Sequence, residues 1–418
     1  MFNRIIKTKI RKNLSSIKSK FKYPLLNQGF SVDDIMQGIK ILSSGQITMS
    51  KVTKNFERMF AKKVGAKHAV MVNSGSSANL LAAFAGCNPM RKRKFKRGDE
   101  FLIPAVCWST SLWPFVQAGL KPVFVDSDVE TLNTNLQDLK NKICKKTKVI
   151  VLVHVLGNSS EVEKIRSICK KKDIILVEDT CESLGTQYKK KYLGTFGDFG
   201  TFSFYYSHQI SAGEGGMIVC NNDEDYDILL SLRSHGWARN LLKQKKYEKK
   251  YNSLDNRFIF LNSGFNVRPT EIQAGLAMNQ FKRLEKIKKI KKFNHKAIIA
   301  NLKKDKNWQN QFEFITESKN TNANWFGLSI LINKPHIKKK QKFLRYLNKN
   351  GIENRPIISG NFVNQPSFKL FKFKANKKTL IKSQEIEDRG FFIGLDNKLI
   401  DKNKLEYVVK HLLNISKI

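Results

Sequence analysis

The sequence predicts an α/β protein in two parts: a large domain on a mostly parallel mixed sheet, then a smaller C-terminal α+β domain. Three observations predict it. From about Lys67 to Cys220, short apolar runs alternate with amphipathic stretches. A long helical pattern from Thr270 through about Leu302 ends that alternation. The 418 residues are 41% hydrophobic, which suits a soluble chain with a substantial core and room for a second domain.

The strands expected in the large domain are His68–Val72, Glu100–Pro104, Pro122–Val125, Val149–Val155, Ile174–Glu178, Gly200–Phe204 and Gly216–Val219. Each is a short run rich in β-branched or aromatic residues. Helical patterns at Val129–Ile143 and Ser160–Lys171 separate some of them, as a parallel sheet requires. Asn240 to Asn256 is polar, lysine-rich and weakly periodic, and reads as a long loop. In the helical pattern from Thr270, Ile272, Leu276, Phe281 and Leu284 form an apolar face opposite a lysine-rich one. The small domain is expected to hold a strand at Trp325–Ile332, a helix at Lys339–Asn348 and a closing helix near Leu405–Leu413. The expected division is a basic extension at 1–22, a large domain at 23–280 and a small domain at 281–418.

The formal charge is +41. A basic surface of this size fits a nucleic-acid or anionic-membrane binder, and that non-enzymatic reading stays open beside the one below. The excess is mostly dispersed lysine, without zinc-finger or RNP spacing, so a solvated basic surface is the expectation and no specific nucleic acid is expected. Residues 1–22 carry no acid and read as a frayed basic tail, with an amphipathic surface helix as the alternative. No apolar run is long enough to span a bilayer. The cysteines, Cys87, Cys107, Cys144, Cys169, Cys181 and Cys220, form no C-x-x-C pair, so free thiols in a reducing cytoplasm and no metal site are expected.

Five segments carry candidate chemistry. Asn73-Ser-Gly-Ser-Ser-Ala-Asn79 follows a strand and opens a helix. Its small residues let backbone N–H groups approach a phosphate, and Ser76 and Ser77 can add hydroxyls; a plain turn with an N-cap fits as well. Asp179 closes an apolar strand, where a carboxylate can pair with a pyridinium nitrogen or cap a turn, and Glu182 follows it. Trp108 offers an indole for stacking. Ser203 stands five residues before His208, and Gly213, Gly215 and Gly216 follow in a flexible turn. Asn266 and Arg268 precede a helix, and an arginine there can clamp a carboxylate.

In order and spacing these segments resemble the DegT/DnrJ/EryC1/StrS family of pyridoxal-phosphate (PLP) sugar-modifying enzymes, from about Tyr23 onward. The pieces that carry the resemblance are SGSSANLL, PAVCWST, LVEDTCESLG, GTFGDFGTFSFYYSHQIS, EGGMIV, RSHGWARNL, GFNVRPTEIQ, WFG and GIENRPIISGNF. The resemblance implies the type I fold of PLP-dependent transferases, similar to aspartate aminotransferase. It assigns Gly75, Ser76, Ser77 and Ala78 to a phosphate-cradling turn and Trp108 to stacking. Asp179 becomes the partner of the pyridine nitrogen, with Glu182 beside the cofactor. Ser203 becomes a phosphate ligand, and Asn266 another that reaches across from a second subunit of a homodimer. His235, Arg239 and Arg268 match residues of a glutamate site, and Glu353 and Arg355 fall in a motif near the substrate.

At His208 most members carry a lysine that holds PLP as a Schiff base. An imidazole cannot form that imine but can move protons near neutral pH. The resemblance therefore implies the dehydratase branch. Its reaction is C3 deoxygenation of a nucleotide-linked 4-keto-6-deoxyhexose, with GDP-4-keto-6-deoxy-D-mannose the expected substrate. PLP would alternate with its pyridoxamine form, L-glutamate would be the amino donor, and ammonia and 2-oxoglutarate would leave. The destination would be deoxysugar and lipopolysaccharide O-antigen biosynthesis. A nucleotide-sugar aminotransferase or a CDP-sugar 3-dehydratase of the same fold is the alternative. The CDP-sugar enzyme carries an iron–sulfur cluster on cysteines, and this chain has no cysteine after Cys220, so no cluster is expected.

Overall fold

A computed structural model describes residues 2–16, 19–26 and 29–418. The chain opens with α1 (Phe2–Ser16), α2 (Val32–Ser43) and α3 (Lys51–Val64). The alternating part follows: β1 (His68–Val72), α4 (Gly75–Gly86), β2 (Glu100–Pro104), α5 (Ser109–Gln117), β3 (Lys121–Val125), α6 (Leu136–Lys142), β4 (Thr147–Val153), α7 (Val162–Lys172) and β5 (Ile175–Asp179). A small hairpin, β6 (Gln187–Tyr188) and β7 (Lys191–Tyr192), precedes β8 (Phe199–Ser203), β9 (Gly216–Cys220), α8 (Asp223–Arg233) and α9 (Gln244–Lys250). Then come α10 (Glu271–Phe281), α11 (Leu284–Lys304), β10 (Phe312–Phe314), β11 (Thr321–Asn322), β12 (Gly327–Ile332) and α12 (Lys340–Lys349). The chain closes with β13 (Asn354–Arg355), α13 (Pro366–Leu370), α14 (Ile381–Arg389), β14 (Gly390–Gly394) and α15 (Lys402–Leu413).

Seven strands form the main sheet in the order β1-β9-β8-β5-β4-β2-β3. β9 runs antiparallel to both neighbours, and every other pairing is parallel. Side chains alternate between two cores, as a strand period of two dictates. Leu102, Ile150 and Leu176 pack with Ile165 and Cys169 of α7 on one face. Ile103, Val149, Val151 and Val177 join Ala78, Leu81 and Ala82 of α4 on the other. Burial on both faces explains why these strands read as unbroken apolar runs. A third core of Phe56, Phe60, Phe202, Phe204 and Phe281 locks α3 and α10 over β8, with the Phe60 and Phe281 rings stacked at 4.9 Å.

A second, antiparallel sheet has the order β10-β12-β14-β13. Tyr23 ties the N-terminal segment to it by donating from its hydroxyl to the Gly394 carbonyl at 2.9 Å.

The expected strands all form, with ends displaced by two residues at most. β4 stops at Val153, so His154 and Val155 lie beyond it, in and before a 3-10 turn. Four expectations need correction. The helix read at Val129–Ile143 is only α6. Leu132 sits at φ 63°, Asn133 turns its amide onto the Thr131 carbonyl, and Asn135 caps the helix from outside. The loop read at Asn240–Asn256 contains α9, where Gln244 donates to Glu248 one turn on at 2.8 Å. The helix read from Thr270 to Leu302 is two helices, broken at Lys282–Arg283. At the break Arg283 reaches the buried Asp34 carboxylate of α2 at 2.7 Å. The N-terminal extension is helical in α1, not frayed: Ile10 is buried and Lys7 pairs with Asp33 at 3.3 Å.

Candidate active site

The carboxyl ends of β4, β5 and β8, the segment from Trp108 to Ser111 beyond β2 and the start of α4 converge on a cavity of about 530 Å³, closed from the other side by residues of the second sheet. This is where open α/β sheets place their ligands. Gly75, Ser76, Trp108, Asp179, Glu182, Ser203, His208 and Arg355, predicted from sequence, all line it.

The start of α4 forms one wall. Ser74 caps the helix, its hydroxyl accepting from the Ser77 N–H at 3.1 Å. No acid stands in the first turn, so the free N–H groups and the positive helix end face the cavity uncompensated. At Gly75 a Cβ would lie 2.6 Å from the Ser203 Cβ, so only glycine lets β8 come this close. Ser77 is occupied within the turn, donating to Asn73 at 2.6 Å, and Ala78 is fully buried; neither lines the cavity.

Asp179 is the floor. One oxygen accepts from Asn79 at 2.8 Å and from Ser111 at 2.7 Å, and the other from the Cys181 N–H at 3.1 Å. Among the described residues no lysine or arginine pairs with it. A fixed, buried carboxylate without a cation suits a ligand that brings a protonated nitrogen. Trp108 stands at the lip, 55% exposed, with an open ring face. Glu182 accepts from the Leu156 N–H at 3.1 Å, and burial pushes its carboxyl up to about 7, so it holds a proton part of the time at neutrality.

His208 lies between two rings, edge-on to Tyr205 at 5.8 Å and to Phe326 at 5.1 Å. Its Nδ1 is buried without a hydrogen-bond partner. Desolvation, and then the charge of Lys291, lower the imidazole to about 3, so it stands as a free base. Among the described residues no lysine lines the cavity.

The remaining predicted residues lie elsewhere in the chain. Asn266 bridges to Ser234 and accepts from the Arg268 Nε at 2.9 Å. The guanidinium groups of Arg239 and Arg268 lie over the Trp237 ring at 5.2 and 5.7 Å, and His235 packs on the same ring at 5.0 Å. Arg239 and Arg268 line a separate pocket of about 160 Å³ that shares no residue with the main cavity. Glu353 does not line the cavity but holds Arg355 at 2.7 Å while accepting from the Leu25 N–H at 3.0 Å.

A PLP-sized group fits the cavity by its chemistry: an anion cradle at α4, an unpaired carboxylate on the floor and an open indole at the lip. A model of the DegT/DnrJ/EryC1/StrS aminotransferase family matches residues 31–413. The chain belongs to this family. Two GDP-4-keto-6-deoxy-D-mannose 3-dehydratases are among the similar family members. That of Escherichia coli is 37% identical over 376 residues, 89% of this chain and 95% of its own length. That of Yersinia pseudotuberculosis is 36% identical over 404 residues, covering 96% and 99%. A crystal structure of a mutant of such a dehydratase with bound GDP-perosamine superposes with a TM-score of 0.86 at 36% identity, over 94% of this chain and all of that one. Another, with a trapped PLP-glutamate geminal diamine, gives 0.85 at 36% identity over the same shares. The type I fold expected from the resemblance is the fold of these family members.

Sequence reasoning missed several residues of the cavity. His154 is fully buried, with Nε2 3.2 Å from the Glu178 carboxylate and Nδ1 unpartnered. Its place just past an apolar strand was a usable signal, hidden by reading the strand through Val155. Asn79 and Ser111, which position Asp179, look in the sequence like ordinary helix residues.

Proposed function

We propose that this chain is a PLP-dependent 3-dehydratase acting on a nucleotide-linked 4-keto-6-deoxyhexose, with GDP-4-keto-6-deoxy-D-mannose as substrate and L-glutamate as amino donor. One observation carries the reading: the cavity presents His208 and, among the described residues, no lysine. An aminotransferase needs an amine there; a base that cannot bind the cofactor covalently leaves it free to cycle. The likeness to two 3-dehydratases over most of the chain supports the substrate class.

When bound, the cofactor in its pyridoxamine form supplies an amine for the C4 ketone and a ring that takes up electrons. The rest falls to the chain's own residues. The α4 N-terminus, Ser76 and Ser203 hold the phosphate. Asp179 keeps the ring nitrogen protonated, Trp108 covers the ring face, and Glu182 donates a hydrogen bond from its protonated form. The unprotonated His208 would take the proton given up by the carbon that bears the cofactor's amine and deliver it to the departing C3 hydroxyl, which would leave as water. Phe326 and Tyr205 keep bulk water off the imidazole. The sugar gains the two electrons that glutamate loses, so the net products are the 3-deoxy-4-keto sugar, 2-oxoglutarate and ammonia.

The proposed assembly is a homodimer, in which the cluster of His235, Arg239, Asn266 and Arg268 reaches the partner's cavity. Its separation from the cavity of its own chain supports this. The proposed compartment is the cytoplasm, where the six free cysteines would stay reduced. The proposed destination of the product is a 3,6-dideoxyhexose such as colitose in lipopolysaccharide O-antigen.

Borohydride reduction of the PLP-loaded protein, followed by peptide mapping, tests the reading. The expected result is no labelled lysine. A stoichiometrically labelled lysine would replace His208 and restore the aminotransferase reading.

A further inference from the structure

The cavity has two unlike walls. The side formed by the main sheet with α4 and α5 is mostly polar: Ser76, Asn79, Ser111, Asp179 and Ser203. The facing side is mostly apolar, formed by Leu25, Phe326, Pro356, Ile358 and Phe392, with Arg355 as its one charged member. Phe326 and Phe392 meet edge-to-face at 5.8 Å, so this side is a packed surface.

Ile358 is the unusual member of that wall. Its φ is +48°, in the left-handed region that a β-branched residue rarely enters. Its neighbours hold it there. The Ser359 hydroxyl donates to the Cys107 carbonyl at 2.6 Å, and the Gln365 amide donates to the Ser359 carbonyl at 3.0 Å. The Phe362 N–H donates to the Ala105 carbonyl at 2.8 Å. A glycine or asparagine would satisfy this backbone with less strain. Strain kept at a cavity wall points to a use for the side chain. Ile358 is only 8% exposed, and what remains open lines the cavity.

The fit for the cofactor assigns it the polar side, so the sugar lies against the apolar one. The apolar group of a 6-deoxyhexose ring is the methyl at C6. We propose that Ile358 is the specificity-determining residue for that methyl, selecting 6-deoxy over 6-hydroxy nucleotide sugars. The inference rests on the dehydratase reading for the substrate class. A C6 hydroxyl against the Ile358 side chain would leave water without gaining a partner there. An apolar pocket discriminates against an added hydroxyl by at most about 100-fold, so the expected preference is roughly 10- to 100-fold.

The test uses two unreactive ligands that differ only at C6, GDP-6-deoxymannose and GDP-mannose, titrated calorimetrically into the PLP-loaded protein. Wild type is expected to prefer the 6-deoxy ligand by roughly tenfold or more. Ile358→Asn, which suits the left-handed backbone, should fold with an undiminished thermal midpoint and bind both ligands about equally. Ile358→Val should keep the preference. Equal binding by wild type, or a preference that survives Ile358→Asn, overturns the proposal. A C6 preference in a protein that releases no ammonia from glutamate and the keto sugar would sink the dehydratase reading alone. Ammonia release without a C6 preference would sink this inference alone.

Discussion

The His208 imidazole meets the Phe326 ring edge-on, with centroids 5.1 Å apart and planes at 86°. Phe326 in turn offers its backbone carbonyl to the Nζ of Lys291 at 3.5 Å, on α11. Lys291 is 1% exposed; among the described residues no carboxylate lies at ion-pair distance from it, and the charge of Asp396 only partly offsets its burial. Burial lowers its ammonium to about 8. Below that pH the charge is present in both folded and unfolded states, so the burial penalty is felt in full. As pH rises from about 8 towards 10.5 the folded state sheds the proton first, and stability rises. Lys291→Met should raise stability at pH 7 by about 1–3 kcal/mol and flatten that rise, as denaturant unfolding at pH 7 and 10 would show. A less stable variant would mean that the ammonium has a strong partner.

His208 has the complementary signature. Its folded value, about 3, lies below the ordinary 6.5, so the unfolded state binds the extra proton between them. Stability is then lost as pH falls below 6.5, by about 2 kcal/mol at pH 5 from this group. His208→Asn should remove that loss, retain PLP binding and reduce ammonia release at least about 100-fold, the lower range for loss of a general base. Full activity in this variant would take His208 out of the mechanism.

Glu182 titrates in the opposite sense. Its folded value of about 7 lies above the ordinary 4.5, so the folded state holds the proton longer and stability falls as pH rises from 4.5 to 7. Glu182→Gln mimics the protonated form. It should be more stable than wild type at pH 8 by about 2–3 kcal/mol, with the difference vanishing below pH 4.5. Paired urea titrations at pH 4 and 8 check this.

Gly75 should accept no side chain. In Gly75→Ala the new methyl meets the Ser203 Cβ at 2.6 Å and the Cys181 Sγ at 3.0 Å. Overpacking of this kind costs about 1–3 kcal/mol. It also pushes β8 away from the α4 N-terminus, so PLP affinity measured by absorbance titration should fall at least tenfold. Unchanged affinity would place the phosphate elsewhere.

The parts of the fold set by local pattern were legible in the sequence. β1 and β2 appear with their predicted ends because both are apolar runs bounded by polar residues. The helix expected at Val129–Ile143 was not, because a left-handed Leu132 and two asparagine turns override its periodicity. The break between α10 and α11 was hidden for a different reason: the apolar face runs on through it, and the contact at the break, Arg283 with Asp34, spans 249 positions. At the site, residues whose chemistry follows from type and position were found: Asp179, His208 and Ser203. Those that matter through contact with distant segments were not, notably His154, Phe326 and Ile358. Asn266 and Arg268 were found from their place before a helix and Arg239 from the family pattern, yet they sit together around Trp237 and outside the cavity of their own chain.

The most direct measurement supplies the PLP-loaded protein with L-glutamate and GDP-4-keto-6-deoxy-D-mannose, and follows ammonia, 2-oxoglutarate and the sugar product together. The expected result is ammonia and 2-oxoglutarate in equal amounts with a 3-deoxy-4-keto sugar. A 4-amino sugar formed with 2-oxoglutarate and without ammonia would contradict it.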